Sequence, residues 1–121
     1  MKIRIRGNSV RFRLTKSEVQ RLCGTGTVEE KTEFDGSFFS YAVKASKKHD
    51  NLHASFLDGA IVLYIPIISL NNWNTNEKVG FYHTQRLDNG SGLMLTLEKD
   101  FVCMDKTAED QSDNYPNPKM M

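Results

Sequence analysis

Four dipeptides of Gly, Asn and Asp divide the chain into short segments, and they constrain the fold more than any other feature. They are Gly7-Asn8, Asp35-Gly36, Asp58-Gly59 and Asn89-Gly90. Such dipeptides supply the positive φ angles that two-residue turns between antiparallel strands require. Each lies between runs in which apolar and polar residues alternate, which is the pattern of a strand with one buried face. The sequence therefore predicts four β-hairpins.

Two short helices are predicted between the hairpins. Thr15-Lys16-Ser17-Glu18 is a capping-box sequence, in which the Thr hydroxyl and the Glu carboxylate satisfy backbone amides at a helix start. Gly24 is placed to end this helix in the left-handed conformation. The second helix is predicted from Pro66 to Trp73, because proline suits a first helical turn and apolar residues follow at a spacing of three.

The order hairpin, helix, hairpin occurs twice. When the first half is shifted by about fifty-one positions, equivalent residues coincide. The pairs are Val10 with Ile61, Phe12 with Leu63, Leu14 with Ile65 and Val28 with Val79. We predict an α+β domain of residues 1–104, mostly antiparallel sheet, with pseudo-symmetric repeats at about 1–48 and 51–104. Two arrangements stay open: a closed, barrel-like sheet, or two four-stranded sheets related by a pseudo-twofold.

Residues 105–121 differ from the rest of the chain. They are polar and acidic, contain two prolines and show almost no apolar periodicity. Such a segment cannot bury enough surface to fold alone. We expect either a disordered tail or an arm laid over the domain, with Tyr115-Pro116 as its anchor.

Length and charge exclude several classes of protein. A chain of 121 residues has room for one domain. Its net charge of +1 argues against nucleic acid as the main partner, because phosphate neutralisation needs a clear surplus of Lys and Arg. Its longest apolar run is far shorter than the ~20 residues that cross a bilayer, and no signal-peptide pattern is visible. We expect a cytoplasmic protein with reduced cysteines, no membrane association and no cofactor.

Five cations of the first predicted hairpin fall on one face of its two strands. They are Lys2, Arg4, Arg6, Arg11 and Arg13. Such a face suits a phosphate, an acidic peptide or an RNA backbone. The structural alternative is a solvated outer face whose charge is balanced by Glu29 and Glu33 on the next strand.

A second hypothesis is chemical. Cys103 follows Glu98, Lys99 and Asp100 at the end of the last strand, and His83 lies on the preceding strand. A thiol becomes a nucleophile when a neighbouring base or cation lowers its pKa, so Cys103, His83 and Asp100 are candidate catalytic residues. They would belong to a small thiol-dependent enzyme or a redox-responsive protein. Sequence alone identifies neither an orienting group nor an oxyanion donor, and we therefore favour a non-enzymatic protein.

The remaining Cys and His residues give weaker signals. Cys23 is expected to be a small buried hydrophobic residue. His49 and His53 lie on either side of a turn, which is a poor spacing for a chelate, so no metal site is predicted. His83 shares the alternation of Val79 and Phe81 and is expected on the core side.

The strand from Ala60 to Ile65 is apolar on both faces. It is either a central strand covered on both sides or a strand whose outer face meets another subunit. A purely structural homodimer through this strand is thus a third hypothesis, beside the binding module and the thiol enzyme.

Three stretches resemble a family of short bacterial proteins classified as a domain of unknown function. They are KIRIRGNSVRFRLTKSEV at 2–19, EKDFVC at 98–103 and EDQSDNYPNP at 109–118. The resemblance spans nearly the whole chain. It implies that the tail and the Cys103 segment belong to the domain, and it transfers no activity, cofactor or catalytic residue.

Overall fold

Eight strands, one α-helix and one 3₁₀ turn make up the part of the chain that the computed structural model describes, residues 1–101 and 113–116. In chain order they are β1 Lys2–Arg6, β2 Ser9–Leu14, α1 Lys16–Thr25, β3 Thr27–Phe34, β4 Ser37–Ser46, β5 His53–Leu57, β6 Ala60–Pro66, the 3₁₀ turn Ile67–Leu70, β7 Gly80–Arg86 and β8 Gly92–Lys99. The α+β fold with a predominance of sheet is confirmed.

The strands form two sheets of four. Sheet 1 has the order β1-β2-β8-β7, and sheet 2 has the order β3-β4-β6-β5. Each sheet therefore contains one hairpin from each half of the chain. Within this described part the strands do not close into a barrel, so the arrangement of two separate sheets holds and the barrel-like alternative is wrong.

The hairpins are antiparallel, but the two halves join through parallel pairs. Strand β2 pairs with β8, and β4 pairs with β6, in both cases in parallel. The sheets are thus mixed. Turn residues determine only how neighbouring strands pair, whereas the contact between inner strands from different halves depends on how the whole chain packs.

The halves are similar in register as well as in order. Phe12 pairs with Leu97 in sheet 1, as Leu63 pairs with Val43 in sheet 2. Phe81 then pairs with Leu97 as Val28 pairs with Val43. Val28 therefore corresponds to Phe81, and its predicted equivalence with Val79 is wrong, because the connections before β3 and β7 differ in length. An origin of the halves by duplication stays a prediction.

Helix α1 begins as predicted. The Thr15 side chain accepts from the Glu18 backbone amide, and Glu18 Oε1 accepts from the Thr15 amide at 2.9 Å, which completes a capping box. The helix ends later than predicted, at Gly26 with φ of 84°, and Gly24 is helical. The Gly26 amide donates to the Leu22 carbonyl, and its own carbonyl accepts from Ala45 of β4, so the later end also ties the helix to sheet 2.

The predicted second helix is largely absent. Only Ile67–Leu70 forms a 3₁₀ turn, and its cap Pro66 makes no side-chain hydrogen bond. The cap residue Asn71 is extended, with φ of −61° and ψ of 110°, and it ends the turn before a longer helix can form. Trp73 is nevertheless fully buried, and its indole donates to the Lys78 carbonyl at 2.8 Å.

Three of the four predicted turns are two-residue turns. Gly7, Gly36 and Gly59 have positive φ angles in them. The fourth prediction is wrong in length: β7 and β8 are joined by residues 87–91, with Gly90 at φ of 87°. The Leu87 amide donates to the Ser91 carbonyl and closes this longer loop.

The core lies between the inward stripes of the two sheets. The side chains that are fully buried include Phe12, Leu14, Leu63, Ile65 and Leu97, together with Val19 and Leu22 of α1 and Trp73. Of the described helices, none is long and apolar enough to cross a membrane.

Residues 113–116 lie against the domain as an arm. The Asp113 carbonyl accepts from the Lys16 amide at 3.0 Å, and the Tyr115 amide donates to the Asp100 carbonyl at 2.7 Å. The Tyr115 ring packs on Phe101. Most of the predicted tail, and Cys103, lie outside the described residues.

Candidate anion-binding face

The outer face of sheet 1 carries the five cations that the sequence singled out. Lys2, Arg4 and Arg6 point outward from β1 because Ile3 faces the core, and Arg11 and Arg13 point outward from β2 because Val10, Phe12 and Leu14 face inward. We call Lys2, Arg4, Arg6, Arg11 and Arg13 the basic face.

The register places like charges opposite one another. Lys2 pairs with Arg13, and Arg4 pairs with Arg11. Like charges at directly opposed positions destabilise an antiparallel pair. The basic face is therefore a site where a negative charge is favourable, whether it comes from the chain itself or from a ligand.

Glu98 of β8 supplies one such charge. Its Oε1 accepts from Arg11 Nε at 2.6 Å and lies 2.5 Å from Arg11 Nη2, while Arg13 Nε is 3.9 Å away. The Tyr82 hydroxyl donates to Glu98 Oε2 at 2.9 Å. Burial, and then the Glu98 carboxylate, raises the pKa of Tyr82. Arg11 and Arg13 are thus held on the sheet by a partly buried carboxylate.

The carboxylates predicted to balance this face are the wrong ones. Glu29 and Glu33 lie on β3, which belongs to sheet 2. The prediction assumed that the next strand in sequence is the next strand in space. The parallel pair of β2 with β8 brings Glu98 there instead.

Arg4 and Arg6 differ from the other cations. Both are exposed, and their side chains make no hydrogen bond or ion pair with the described residues. Lys2 Nζ, in contrast, lies 3.1 Å from Asp100 Oδ2. A hollow of about 330 Å³ opens on this surface, and it is lined by Lys2, Ile3, Arg4, Arg11 and Arg13.

Apolar side chains border the cations. Tyr82 and Met94 are exposed on the same face by 62% and 60%. Thr96 of β8 lies between the arginines and Tyr82, because it pairs with Arg11 of β2 on one side and with Tyr82 of β7 on the other. A ligand on this face would therefore meet guanidinium groups along one side and an aromatic ring along the other.

The predicted thiol site is not assembled within the described residues. Asp100 is buried, with an exposed fraction of 4%, and faces Lys2. His83 lies half-buried on the inward side of β7, as its alternation indicates, and pairs with Leu95. Cys103 lies outside the described residues, so its catalytic role with His83 and Asp100 stays a prediction.

Lys99 is a buried cation that sequence reasoning did not place. It is 4% exposed, its Nζ donates to the Asn76 carbonyl at 2.6 Å, and it lies over the rings of Trp73 and Tyr115. Burial lowers the pKa of Lys99, although the nearby Cys23 sulfur opposes the shift. The alternation of Leu93, Leu95 and Leu97 extends to Lys99 and is the signal that would have placed it inward.

The described cysteine is only partly what the sequence suggested. Cys23 is half-buried and packs against the core, and its thiol lies 3.5 Å from the Leu70 carbonyl. Among the residues with described positions, no group of three or more His, Cys, Asp or Glu side chains is arranged to hold a metal ion.

Fold and surface together define an α+β domain of two similar hairpin units that carries a basic sheet face. A family model described as a family of unknown function, DUF7009, matches residues 1–119, and the chain belongs to that family. The resemblance predicted from the three sequence stretches is thereby confirmed. Comparison with curated proteins and with solved structures found no match.

Proposed function

We propose that this protein is a non-enzymatic binding module that recognises an anionic partner through the basic face. The observation that supports it is the state of Arg4 and Arg6, which are exposed and unpaired within residues 1–101 and 113–116. Arg4 also lies directly opposite Arg11. A bound anion would relieve the repulsion between these guanidinium groups.

The chemistry of the face favours carboxylates presented by an acidic protein segment. A guanidinium group can bind a carboxylate with two parallel hydrogen bonds, and this face already binds one carboxylate, since Arg11 Nε and Nη2 both contact Glu98 Oε1. All the residues that line the hollow come from the paired strands β1 and β2, and a surface along two strands suits an extended segment. The small net charge of the chain provides little of the long-range attraction that nucleic acid binding relies on.

A double variant tests this proposal. We expect Arg4→Gln with Arg6→Gln to weaken binding of a fluorescent poly-glutamate probe at least ~10-fold at low salt, because two charge-assisted contacts are lost. Added salt should weaken the wild-type complex in the same way. The matched control, Arg21→Gln with Lys31→Gln, removes two exposed cations elsewhere and should bind like wild type.

Two outcomes would contradict the proposal. One is equal loss of affinity in the test and control variants, which would show that only net charge matters. The other is loss of thermal stability in Arg4→Gln/Arg6→Gln with unchanged binding, which would make the two arginines structural residues. Binding of a single-stranded oligonucleotide in preference to poly-glutamate would reject the acidic protein segment.

A homodimer through the outer face of sheet 2 is a second candidate. Phe38 and Leu57 are exposed on this face by 57% and 72%, beside the half-buried Val62 and Tyr64 of β6. Sedimentation equilibrium measures the mass directly, and Val62→Glu should convert a dimer to a monomer. A wild-type chain that sediments as a monomer at high concentration would remove this candidate.

A further inference from the structure

A second polar hollow lies at the opposite side of the molecule, where the chain passes from β4 to β5. It has a volume of about 480 Å³, and its polar lining includes Lys47, Lys48, His49, His53, Ser55 and Tyr64. We call this hollow the histidine pocket. Its volume is within the usual range for a small-molecule site.

Two imidazole rings are stacked in the pocket. The rings of His49 and His53 are 4.1 Å apart between centroids and are inclined by 6°, and the Tyr64 ring lies 5.5 Å from His49. An imidazole nitrogen binds a metal in the plane of its ring at about 2.0–2.1 Å. Rings stacked in nearly parallel planes cannot direct two such lone pairs at one ion, so the pair as arranged is not a chelate.

Backbone pairing and a local turn produce this arrangement. His53 begins β5 and pairs with Tyr64 of β6, which fixes both on the outer face of sheet 2. The Lys48 amide donates to Ser46 Oγ at 3.0 Å, which turns the chain after β4 and returns His49 over the sheet.

The charged groups around the stack are mainly cationic. Lys47 and Lys48 come from the connecting loop, and Lys44 of β4 pairs with Tyr64 on the same face. The carboxylate of this loop, Asp50, lines a separate hollow with Leu52 and Phe81. No carboxylate is among the described residues that line the histidine pocket.

The protonated form of His53 is disfavoured in this setting. Burial, and then the charge of His49, lowers the pKa of His53. Two stacked rings can both be protonated at low cost only when a negative group neutralises them. A dianion in the pocket would therefore stabilise the protonated pair.

We propose that the histidine pocket binds a small organic phosphate. The imidazolium groups of His49 and His53 and the ammonium groups of Lys47 and Lys48 donate to the phosphate oxygens, and the Ser55 and Tyr64 hydroxyls supply further donors. The volume beyond the phosphate accommodates the organic part. This inference is independent of the basic face, which lies on the other sheet.

Linkage determines the pH dependence of this binding. Because the bound dianion favours protonated histidines, binding takes up protons, and the affinity should rise as the pH falls from about 8 towards the ordinary His value near 6.5. A phosphate monoester loses its second charge below its pKa near 6, so its affinity should level off there. Sulfate keeps both charges, and its affinity should go on rising at lower pH.

Proton NMR of the imidazole rings tests the proposal. We expect phenyl phosphate and sulfate each to raise the titration midpoints of His49 and His53 while His83 is unaffected. In Lys47→Gln/Lys48→Gln, both exposed positions, the affinity for phenyl phosphate should fall at least ~10-fold with the fold retained. The same loss is expected in His53→Gln, whereas Lys31→Gln, which removes an exposed cation outside both sites, should bind normally.

The possible results separate clearly. Midpoints that do not move at saturating phenyl phosphate, or an affinity without pH dependence, would overturn the proposal. Equal affinity for inorganic phosphate and phenyl phosphate would reject the organic ligand, since the rest of the pocket would then contribute nothing. Tighter binding of phenyl phosphate than of inorganic phosphate is the expected result.

Discussion

The inner strands β2 and β6 occupy equivalent places in the two sheets, and they agree on one side and differ on the other. Val10 and Ile61 are 9% and 8% exposed, and Phe12 and Leu63 are both fully buried. At the alternate positions, Arg11 corresponds to Val62 and Arg13 to Tyr64. Both halves pack into one core, and this core requires apolar residues at the inward positions of both strands. The outward residues do not contact the core, so they can differ and give the two sheets different surfaces.

The two sheets also differ in the exposed residues near their hairpin turns. Sheet 1 ends in a hairpin that carries Arg4 and Arg6, while Phe34, Phe38 and Phe56 are exposed at the end of sheet 2. Phe34 and Phe56 share the alternation of the core stripes but extend past the part that the other sheet covers. Position beyond the core, more than residue type, thus decides exposure here.

The largest expected effect is on stability, and it tests whether the core-facing residues of β2 and β6 are equivalent. Phe12→Ala should lower the free energy of unfolding by about 3–5 kcal/mol and Leu63→Ala by about 2–5 kcal/mol, because both leave a cavity in one shared core. Urea unfolding measures both. The exposed Phe56→Ala should cost less than ~1 kcal/mol. A small loss for either Phe12→Ala or Leu63→Ala would mean that the halves do not share one core.

The next effect compares the two connections within the halves. Thr15→Ala should cost about 1 kcal/mol of unfolding free energy, because it removes the helix cap. Ser69→Ala, in the uncapped 3₁₀ turn, should change stability by less than ~0.5 kcal/mol. Equal losses in thermal or urea unfolding would show that the capping box adds nothing specific.

A smaller effect distinguishes the anchored arginines from the exposed ones. Arg11→Gln should cost up to about 1 kcal/mol because it leaves Glu98 without its main partner. Arg4→Gln should stay within ~0.5 kcal/mol of wild type. If Arg4→Gln is the more destabilising change, Arg4 has a structural partner and the basic face is not poised for a ligand.

The smallest expected effect is on the pH dependence of the free energy of unfolding, and it comes from a core position at which the two halves differ in charge. Lys99 corresponds to Ala45, and burial lowers the pKa of Lys99 below its ordinary value of 10.5. The unfolded chain therefore binds this proton more tightly. The free energy of unfolding of the wild type should therefore rise relative to that of Lys99→Met as the pH increases towards 10.5. It should fall again relative to the variant as the pH is lowered. Parallel pH curves for the two proteins would contradict burial of the charged amine.

Local patterns account for the elements that the sequence predicted well. The capping box at Thr15 and the turns at Gly7, Gly36 and Gly59 depend on contacts within a few residues, and the structure confirms them. The helix predicted from Pro66 failed because a helical pattern of apolar residues also suits a short turn that buries Trp73. Here the periodicity correctly indicates that Leu70 and Trp73 are buried, but it does not show by which backbone path they reach the core.

The candidate sites were predicted less completely, for a related reason. Alternation placed the five cations on one face, and it could not show that Glu98 neutralises two of them from across the chain. The spacing of His49 and His53 indicates only that they are not a metal chelate. Their stacking depends on the pairing of His53 with Tyr64, which the spacing does not show. A site formed by segments that are distant in sequence can be predicted only when the pairing and register of the strands are known.

The sequence by itself determined the hairpins, the capped helix and the inward and outward sides of the strands in which apolar and polar residues alternate. These follow from turn chemistry and from alternation, which act over short distances. Tertiary structure alone decided that β2 lies beside β8 and β4 beside β6, and with this pairing which charges meet. The physical reason is that parallel strands from different halves share no turn, so their pairing is selected by burial of the common core.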